Sequence, residues 1–409
     1  MLLPTCRQLL LFFTSVMICI VLTGCWDSDE IDERAVVLAI SIDKAVGEKE
    51  EIKIAHKGKM SDLADQPVIR LSAQIALPGR IPLGPETGGG GGSEQSPVWV
   101  VSVTGHTIDE AMLNLQQEVA DEIFLGHLRV IVVSEEIARI GVNRFTDYLK
   151  RNPEIRRTAW MVVSKGKADR FMQMAPKLER VPALYLSTVL DDAIDLGKFP
   201  SDFIGKFWSI LSSNAQDAFL PYLDIKNKEN VQIKGLAYFK GNKMIGTTNP
   251  LEIGLFMGII GEERGGYGTF VDSPEIDGFL LVRAMKRDAK IKTSLKNGRP
   301  HVRIILHYEA MISENEVDKN AKKPLNPKAI NSVEGKFSKG VEKKVKQLIK
   351  KTQKDESDIY GFGDHFRAKH PEYWKSKVRK LEDWHEQYKN MTVQVDCKTN
   401  IRLVGMKSK

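Results

Sequence analysis

Apolar positions along this chain follow two periods, and segments of the two kinds alternate. Residues 68–77 alternate apolar with polar or small side chains, a period of two that predicts a strand with one buried face. Residues 34–43 are almost continuously apolar and β-branched, which is typical of a strand buried on both faces. After Thr107 the period lengthens, and we expect a helix over residues 108–122 that begins with a capping box of Thr107 and Glu110.

The rest of the N-terminal half continues the alternation of strand and helix. Further strands are predicted over residues 51–55, 98–103, 128–133 and 158–164, and further helices over residues 135–151 and 178–196, with one more beginning at Ala168. Such alternation predicts a mixed sheet covered by helices.

The pattern changes after the polar run at residues 226–230. Residues 231–239 and 244–246, joined by Gly241 and Asn242, predict a hairpin. The elements predicted beyond it are a short helix over residues 251–260, antiparallel strands over 278–285, 289–295 and 302–313 with a turn at Asn297 and Gly298, a long helix over 329–354 with an apolar stripe, a helix over 378–387 and a strand over 392–403.

These patterns predict an α/β (α+β mixed), multi-domain fold of unusual topology, in which mixed sheets pack against helices. We divide the chain into a removed leader at residues 1–24, an N-terminal domain at 25–225 and a C-terminal region at 226–409. Pro324 and Pro327 suggest that the C-terminal region is divided again near 314–328. The 385 residues after the leader suit two or three domains.

The first 25 residues follow the plan of a bacterial lipoprotein signal. Arg7 is the only charge before an apolar run at residues 9–21, and the small pair Thr23 and Gly24 precedes Cys25. The order resembles a lipobox, in which a diacylglyceryl group is attached to the cysteine before cleavage. An ordinary signal peptide with a nearby cysteine is the alternative. We therefore predict lipidation of Cys25, and we expect no transmembrane helix in the mature chain because no later apolar stretch is long enough.

Net charge and cysteine content indicate which partners and which covalent links to expect in this protein. The precursor carries +7, and removal of Arg7 with the leader leaves +6, which suits an anionic membrane surface. Nucleic acid is not an expected partner, because the basic residues form no compact patch with aromatic ones. Only Cys397 remains besides Cys25, so acylation of Cys25 leaves no intramolecular disulfide. Cys397 is expected to be an ordinary strand residue rather than a reactive thiol.

No residue constellation in the sequence predicts an enzyme, a cofactor site or a metal site. His365 and His370 are five residues apart, which on a helix is well off one face, and His127 is expected to be structural. The acidic residues 27–33 lack the spacing of a calcium loop. The five glycines at 88–92 are not followed by the Gly-Lys-Ser/Thr of a phosphate-binding loop, so a flexible hairpin loop is the better interpretation.

Several short motifs, in order along the chain, resemble the Ger(x)C family, the C-subunit lipoproteins of nutrient germinant receptors in endospore-forming bacteria. They are residues 22–27 (LTGCWD), 97–102 (PVWVVS) with 105–107 (GHT), 125–128 (LGHL), 151–159 (RNPEIRRTA), 182–186 (PALYL), 361–363 (GFG) and 370–374 (HPEYW). The resemblance covers nearly the whole chain, whereas the glycine run has no counterpart in it.

The resemblance implies a non-enzymatic lipoprotein subunit, needed for triggering spore germination, on the outer face of the spore inner membrane. Its implied partners are the two integral membrane subunits of the receptor and the bilayer itself. The alternative is a membrane-anchored capture lipoprotein that binds a small nutrient directly. A capture protein should have two similar lobes, and the sequence contains no such internal repeat.

Overall fold

The computed structural model describes residues 8–9, 11–15, 17, 33–45, 67–79, 96–174, 179–227, 229–272, 275, 278–317 and 326–403. The strand predicted over residues 51–55 and the glycine run lie outside the described residues. The fold is mixed α/β, with two sheets and helices packed on both, as predicted.

Nine strands form the first sheet, and its centre is parallel. They are β1 (Arg34–Lys44), β2 (Ile69–Ala76), β3 (Val98–Gly105), β4 (Glu122–Phe124), β5 (Val130–Ser134), β6 (Trp160–Ser164), β7 (Phe219–Lys226), β8 (Asn230–Lys240) and β9 (Lys243–Thr247). The order is β3-β2-β1-β5-β6-β7-β8-β9, and β4 pairs with β1. The pairs β1–β5, β5–β6 and β6–β7 are parallel. Both β5 and β6 are buried at every position, as strands covered on two faces require.

The helices of this half are shorter than the sequence predicts, except for the last one, which was not predicted from the sequence. They are α1 (Ile108–Glu118), α2 (Glu135–Ile140), α3 (Asn143–Arg151), α4 (Pro182–Asp195) and α5 (Ile204–Leu211), with a 3-10 turn at Asp169–Phe171 where a helix from Ala168 is predicted. The single helix over 135–151 is wrong, because Gly141 takes a φ of 134° and separates α2 from α3. The helix over 108–122 ends early, and Glu122–Phe124 instead form β4.

The start of α1 matches half of the predicted capping box. The Thr107 hydroxyl accepts a hydrogen bond from the Glu110 N–H at 3.1 Å. The Glu110 carboxylate, however, accepts from the N–H of His106 at 2.7 Å, one residue before the cap. Both interactions satisfy N–H groups at the helix start, so the helix begins where predicted.

Four strands form the second sheet, in the order β10 (Gly268–Asp272), β11 (Gly278–Lys296), β12 (Arg299–Val317) and β13 (Thr392–Leu403). The prediction of three antiparallel strands is wrong, because residues 278–296 are one strand. Its pairing register shifts at Leu281/Val282 and again at Ala284/Lys286, and each shift interrupts the period of two. Asn297 and Gly298 form the predicted turn, both with positive φ, and β13 runs parallel to β12.

In the part of this half that the structure describes, five helices accompany the second sheet. They are α6 (Pro250–Ile259), α7 (Pro327–Lys354), α8 (Phe362–Lys369), α9 (Pro371–Lys377) and α10 (Leu381–Lys389). The apolar stripe predicted for the long helix is confirmed, since Val333, Phe337, Val341, Val345, Leu348 and Ile349 are buried. The ring of Phe337 packs edge-on against Tyr308 of β12, which places α7 on a face of the second sheet.

The outer edge of β13 is covered by side chains of α7. Glu342 accepts a hydrogen bond from the N–H of Cys397 at 2.8 Å, and Glu334 accepts from that of Ile401 at 2.6 Å. Between them the Ser338 hydroxyl donates to Thr399 at 2.9 Å. Four helical residues rise about 6.0 Å and two strand residues about 6.6 Å, so every fourth helix position meets every second strand position. Two N–H groups on the edge of the sheet, those of Cys397 and Ile401, are thereby satisfied.

Two buried clusters form the core, one on each face of the first sheet. One face packs against α1, α2, α3 and α5 through residues such as Ile108, Ile137 and Phe207. The other face shares a continuous cluster with the second sheet, joining Trp160 of β6 to Leu306 of β12. The two sheets are therefore packed together through apolar contacts.

The boundary predicted between residues 225 and 226 falls at the end of β7, just before the turn that leads into β8. Asn227 in that turn has a φ of 56°. Strands β8 and β9 follow the boundary in sequence but pair within the first sheet. The break predicted near 314–328 lies partly outside the described residues. The division into domains remains a prediction, and the structure shows which strands a cut at this turn would leave paired.

Candidate functional site

The predicted lipidation site, Cys25, lies outside the described residues. In the segment predicted to be a leader, the described residues 8–9, 11–15 and 17 are helical, and their apolar side chains are exposed. Among the described residues, no helix has the length and apolar character needed to cross a bilayer. Strand β1 begins nine residues after Cys25, at Arg34.

A buried polar junction joins the end of the first sheet to the helices of the second half. Its centre is Asp217, whose carboxylate accepts hydrogen bonds from three donors. These are the Gly241 N–H in the β8–β9 turn, the Asp358 N–H after α7, and Nε2–H of His385 on α10, all within 2.9–3.0 Å. The Asp217 side chain has no exposed surface. The Asp217 carboxylate thus links the β8–β9 turn, the loop after α7 and helix α10.

The second acid of the junction, Asp358, has a strongly perturbed pKa. Its carboxylate accepts from the Gly363 N–H and from Nε1–H of Trp384, both at 2.9 Å. Burial raises the pKa of Asp358 to about 7, and the nearby charge of Asp217 adds to this, while the hydrogen bonds oppose it. Close to neutral pH this group therefore exchanges a proton.

The Gly-Phe-Gly motif at residues 361–363 is explained by this junction. Gly361 precedes α8 with a φ of 75°, a conformation that side chains disfavour. A Cβ at Gly363 would lie 2.1 Å from the carbonyl oxygen of Ala215 and 2.7 Å from Nε1 of Trp384. The first glycine is needed for the turn and the second for close approach.

Ion pairs surround the buried centre. Glu356 receives hydrogen bonds from Lys240 at 2.5 Å and Lys389 at 2.6 Å, and these lower its pKa to about 2. The Tyr238 hydroxyl donates to Asp355 at 2.5 Å, and that of Ser357 donates to the Phe239 carbonyl. Strand β8 is therefore bound to the loop after α7 at several successive positions.

A polar cavity of about 400 Å³ lies beside the junction. Its lining includes Asn143, Lys240, Asn242, Glu382 and His385. Nε2 of His385 faces Asp217, and its other ring nitrogen, Nδ1, is buried and has no partner among the described residues. The lining offers amides and side chains of both signs of charge, which is chemistry suited to holding a small polar molecule.

A separate buried carboxylate, Asp202, precedes α5. The residue is fully buried, and neither of its carboxylate oxygens has a hydrogen-bond partner among the described residues. Burial raises the pKa of Asp202 to about 7, and the charge of Lys206 opposes this only partly.

The three histidines considered in the sequence analysis lie among side chains of the folded core or surface, and none of them lies in a metal-binding cluster of described residues. His127 packs edge-on against Phe124, with ring centroids 5.8 Å apart, and His370 is 3.1 Å from the hydroxyl of Thr293. His365 is half-buried, and burial lowers its pKa. In the described ranges no three His, Cys, Asp or Glu side chains gather as a metal site requires.

Cys397 lies in β13 as predicted, and burial raises the pKa of its thiol to about 12. Such a thiol carries little thiolate at neutral pH, which argues against the reactive alternative. Sequence reasoning missed the pair of His385 and Asp217, which are 168 residues apart and carry no local motif.

Two family models match the chain one after the other. The model described as the spore germination protein N-terminal domain matches residues 27–225. The model described as spore germination B3/GerAC like, C-terminal, matches residues 234–405. Together they cover most of the chain.

Individual proteins match over similar lengths. YfkR of Bacillus subtilis strain 168 is 30% identical over 392 residues, or 93% of this chain and 92% of that protein. Spore germination protein KC of the same strain is 25% identical, covering 98% and 97% of the two chains. The crystal structure of the GerBC protein superposes with a TM-score of 0.55 at 20% identity, over 82% of this chain and 94% of that one, so the two share a fold. The chain belongs to the Ger(x)C family of spore germination proteins.

Proposed function

We propose that this chain is the lipid-anchored, non-enzymatic subunit of a nutrient germinant receptor, and that it acts by docking on the receptor's integral membrane subunits. The observation that carries the proposal is the lipobox ending at Cys25, on a chain that matches the Ger(x)C family through both halves. The expected location is the outer face of the spore inner membrane.

The tether limits where the folded part can act. An extended chain spans at most about 3.5 Å per residue, so the nine residues from Cys25 to Arg34 place β1 within roughly 30 Å of the bilayer. Two acyl chains on one cysteine give stable attachment, whereas one chain holds only marginally. Confinement near integral partners raises the effective concentration, so individually weak contacts suffice for docking.

Two cysteine variants test the anchor and the docking together. The chain is recovered from spore membranes as wild type, as Cys25→Ala and as Cys397→Ala, and co-purifying proteins are identified by mass spectrometry. Wild type and Cys397→Ala should begin with a diacylated Cys25 and retain two integral membrane proteins. Cys25→Ala should be unprocessed or released, and should lose those partners. An unmodified Cys25 in wild type, or full germination with Cys25→Ala, contradicts the proposal.

A second candidate function is direct capture of a nutrient, and the polar cavity beside His385 favours it. Calorimetry of the purified chain with amino acids, sugars and nucleosides separates the two. A micromolar titration that Asn242→Ala, at the cavity lining, abolishes with unchanged thermal unfolding would support capture. The docking proposal expects no micromolar titration with any of them.

A further inference from the structure

An apolar groove of about 450 Å³ opens between α6, β10 and α7. Its floor includes Ala284 and Tyr308 of the second sheet, and its walls include Leu255 of α6 and Val341 of α7. At its mouth, Leu251 is 53% exposed and Phe270 is 58% exposed. Large apolar side chains around a concave, apolar surface are typical of a place where another molecule binds.

A buried positive charge, the guanidinium of Arg287, lies at the floor of the groove. Arg287 lines it and is 2% exposed, yet its guanidinium meets carbonyl oxygens rather than a carboxylate. It donates to the carbonyls of Glu262, Gly254 and Gly197 at 3.1–3.2 Å, and also to that of Arg264. Carbonyl oxygens satisfy the N–H groups but do not cancel the charge, so the floor favours an anion above it.

The groove is also positively charged from one side. Helix α7 contains nine lysines and two glutamates, and both glutamates bind β13 on the far side of the helix. Lys336, Lys339 and Lys344 lie along the groove. Lys336 pairs with Asp272 at 3.2 Å, whereas Lys339 and Lys344 form no ion pair with a described residue.

A glycine leaves a gap between two of these lysines. Lys336, Gly340 and Lys344 are spaced four residues apart and so follow one stripe, with the two lysines about 12 Å apart along the helix axis. Glycine destabilises a helix interior relative to alanine. A Cβ at Gly340 would meet nothing within 4 Å, so internal packing does not require glycine there.

We propose that this groove binds an amphiphilic anion, with an apolar body against α6 and β10 and one carboxylate or phosphate over Gly340 between Lys336 and Lys344. The volume lies within the range of small-ligand sites. A fatty acid and an anionic phospholipid share this chemistry. The site requires neither the lipid anchor nor the membrane subunits.

The test uses laurate carrying a photoactivatable diazirine and the full chain in phosphatidylcholine nanodiscs. Adducts should map to residues 250–272 and 327–354, and excess unlabelled laurate should suppress them. Gly340→Leu should fill the groove and reduce labelling at least tenfold. Gly335→Leu is the matched control, because Gly335 lies in the same helix, is exposed, also has nothing within 4 Å of an added Cβ, and does not line the groove.

Two further arms test the charge and the source of the ligand. Dodecanol carrying the same diazirine should label wild type several-fold less than laurate does. Laurate should likewise label a Lys336→Gln/Lys344→Gln variant several-fold less than it labels wild type. Diazirine-labelled phosphatidylglycerol placed in the nanodisc shows whether a bilayer lipid reaches the groove, and labelling by either anion supports the site. Equal labelling of Gly340→Leu and Gly335→Leu, or of laurate and dodecanol, overturns it.

Discussion

Replacing the buried Asp202 by asparagine should stabilise the protein at neutral and alkaline pH but not at acid pH. In the folded chain its pKa is about 7, against an ordinary value of 3.8. The folded state therefore keeps a proton that the unfolded state releases. Unfolding becomes easier as pH rises from about 4 to about 7, since the unfolded state binds fewer protons over that range.

The size of the effect follows from the pKa difference. Each pKa unit corresponds to about 1.4 kcal/mol, so ionised Asp202 costs the folded state about 4 kcal/mol above pH 7. Asparagine has nearly the shape of the protonated acid and does not ionise. The free energy of unfolding of Asp202→Asn should match wild type near pH 4 and exceed it by about 4 kcal/mol at pH 8.

Urea unfolding followed by tryptophan fluorescence at pH 4.5, 6 and 8 measures this difference directly. The control is Asp192→Asn, because Asp192 is exposed on α4 and should give the same midpoint as wild type throughout. A difference between Asp202→Asn and wild type that does not change with pH would refute the reasoning. It would mean that Asp202 has an unperturbed pKa and is solvated.

Three other changes test the junction, the covered edge and the boundary. Trp384→Phe removes a hydrogen bond to the buried Asp358 and should lower the free energy of unfolding by about 1.5–3 kcal/mol, measured by urea unfolding; no change would mean that water replaces the indole. Glu342→Ala should accelerate amide exchange at Cys397 severalfold by hydrogen-exchange mass spectrometry, and unaltered exchange would contradict the proposed cover. Limited proteolysis should cut first at residues 227–229 or in the glycine loop. A chain cut at 227–229 should still elute as one species on gel filtration, because β7 and β8 remain paired. Separation of the two fragments would mean that the turn joins independent domains.

Local pattern was sufficient for most elements of the fold. The continuous apolar run of β1 and the stripe of α7 indicated strand and helix correctly, because each reflects burial of one element against its neighbours. Predictions were wrong where the backbone departs from a regular period. Gly141 interrupts what looks like one helix, and the register shifts of β11 make one strand look like two.

The buried junction could not be predicted in the same way. Asp217 precedes β7 and His385 lies on α10, so the two residues come together only in the folded chain, and neither has neighbours in sequence that indicate it. The Gly-Phe-Gly motif could be seen in the sequence, but the need for glycine at Gly363 could not. The atoms that leave no room for a Cβ there belong to Ala215 and Trp384, which are distant in sequence. The predicted lipidation of Cys25 needs no knowledge of the fold, because a lipobox is a short linear segment, and it stays a prediction.

The long separation between β12 and β13 has a consequence for how the chain reaches its fold. These strands pair side by side, yet about 75 residues and four helices lie between them. During synthesis β13 leaves the ribosome after every other described element, so Glu334 and Glu342 of α7 lack their partners until then. Contacts of such long range form slowly. The second sheet can therefore be completed only after the last described strand has been made, so closure of β13 onto β12 is expected to be a late step in folding.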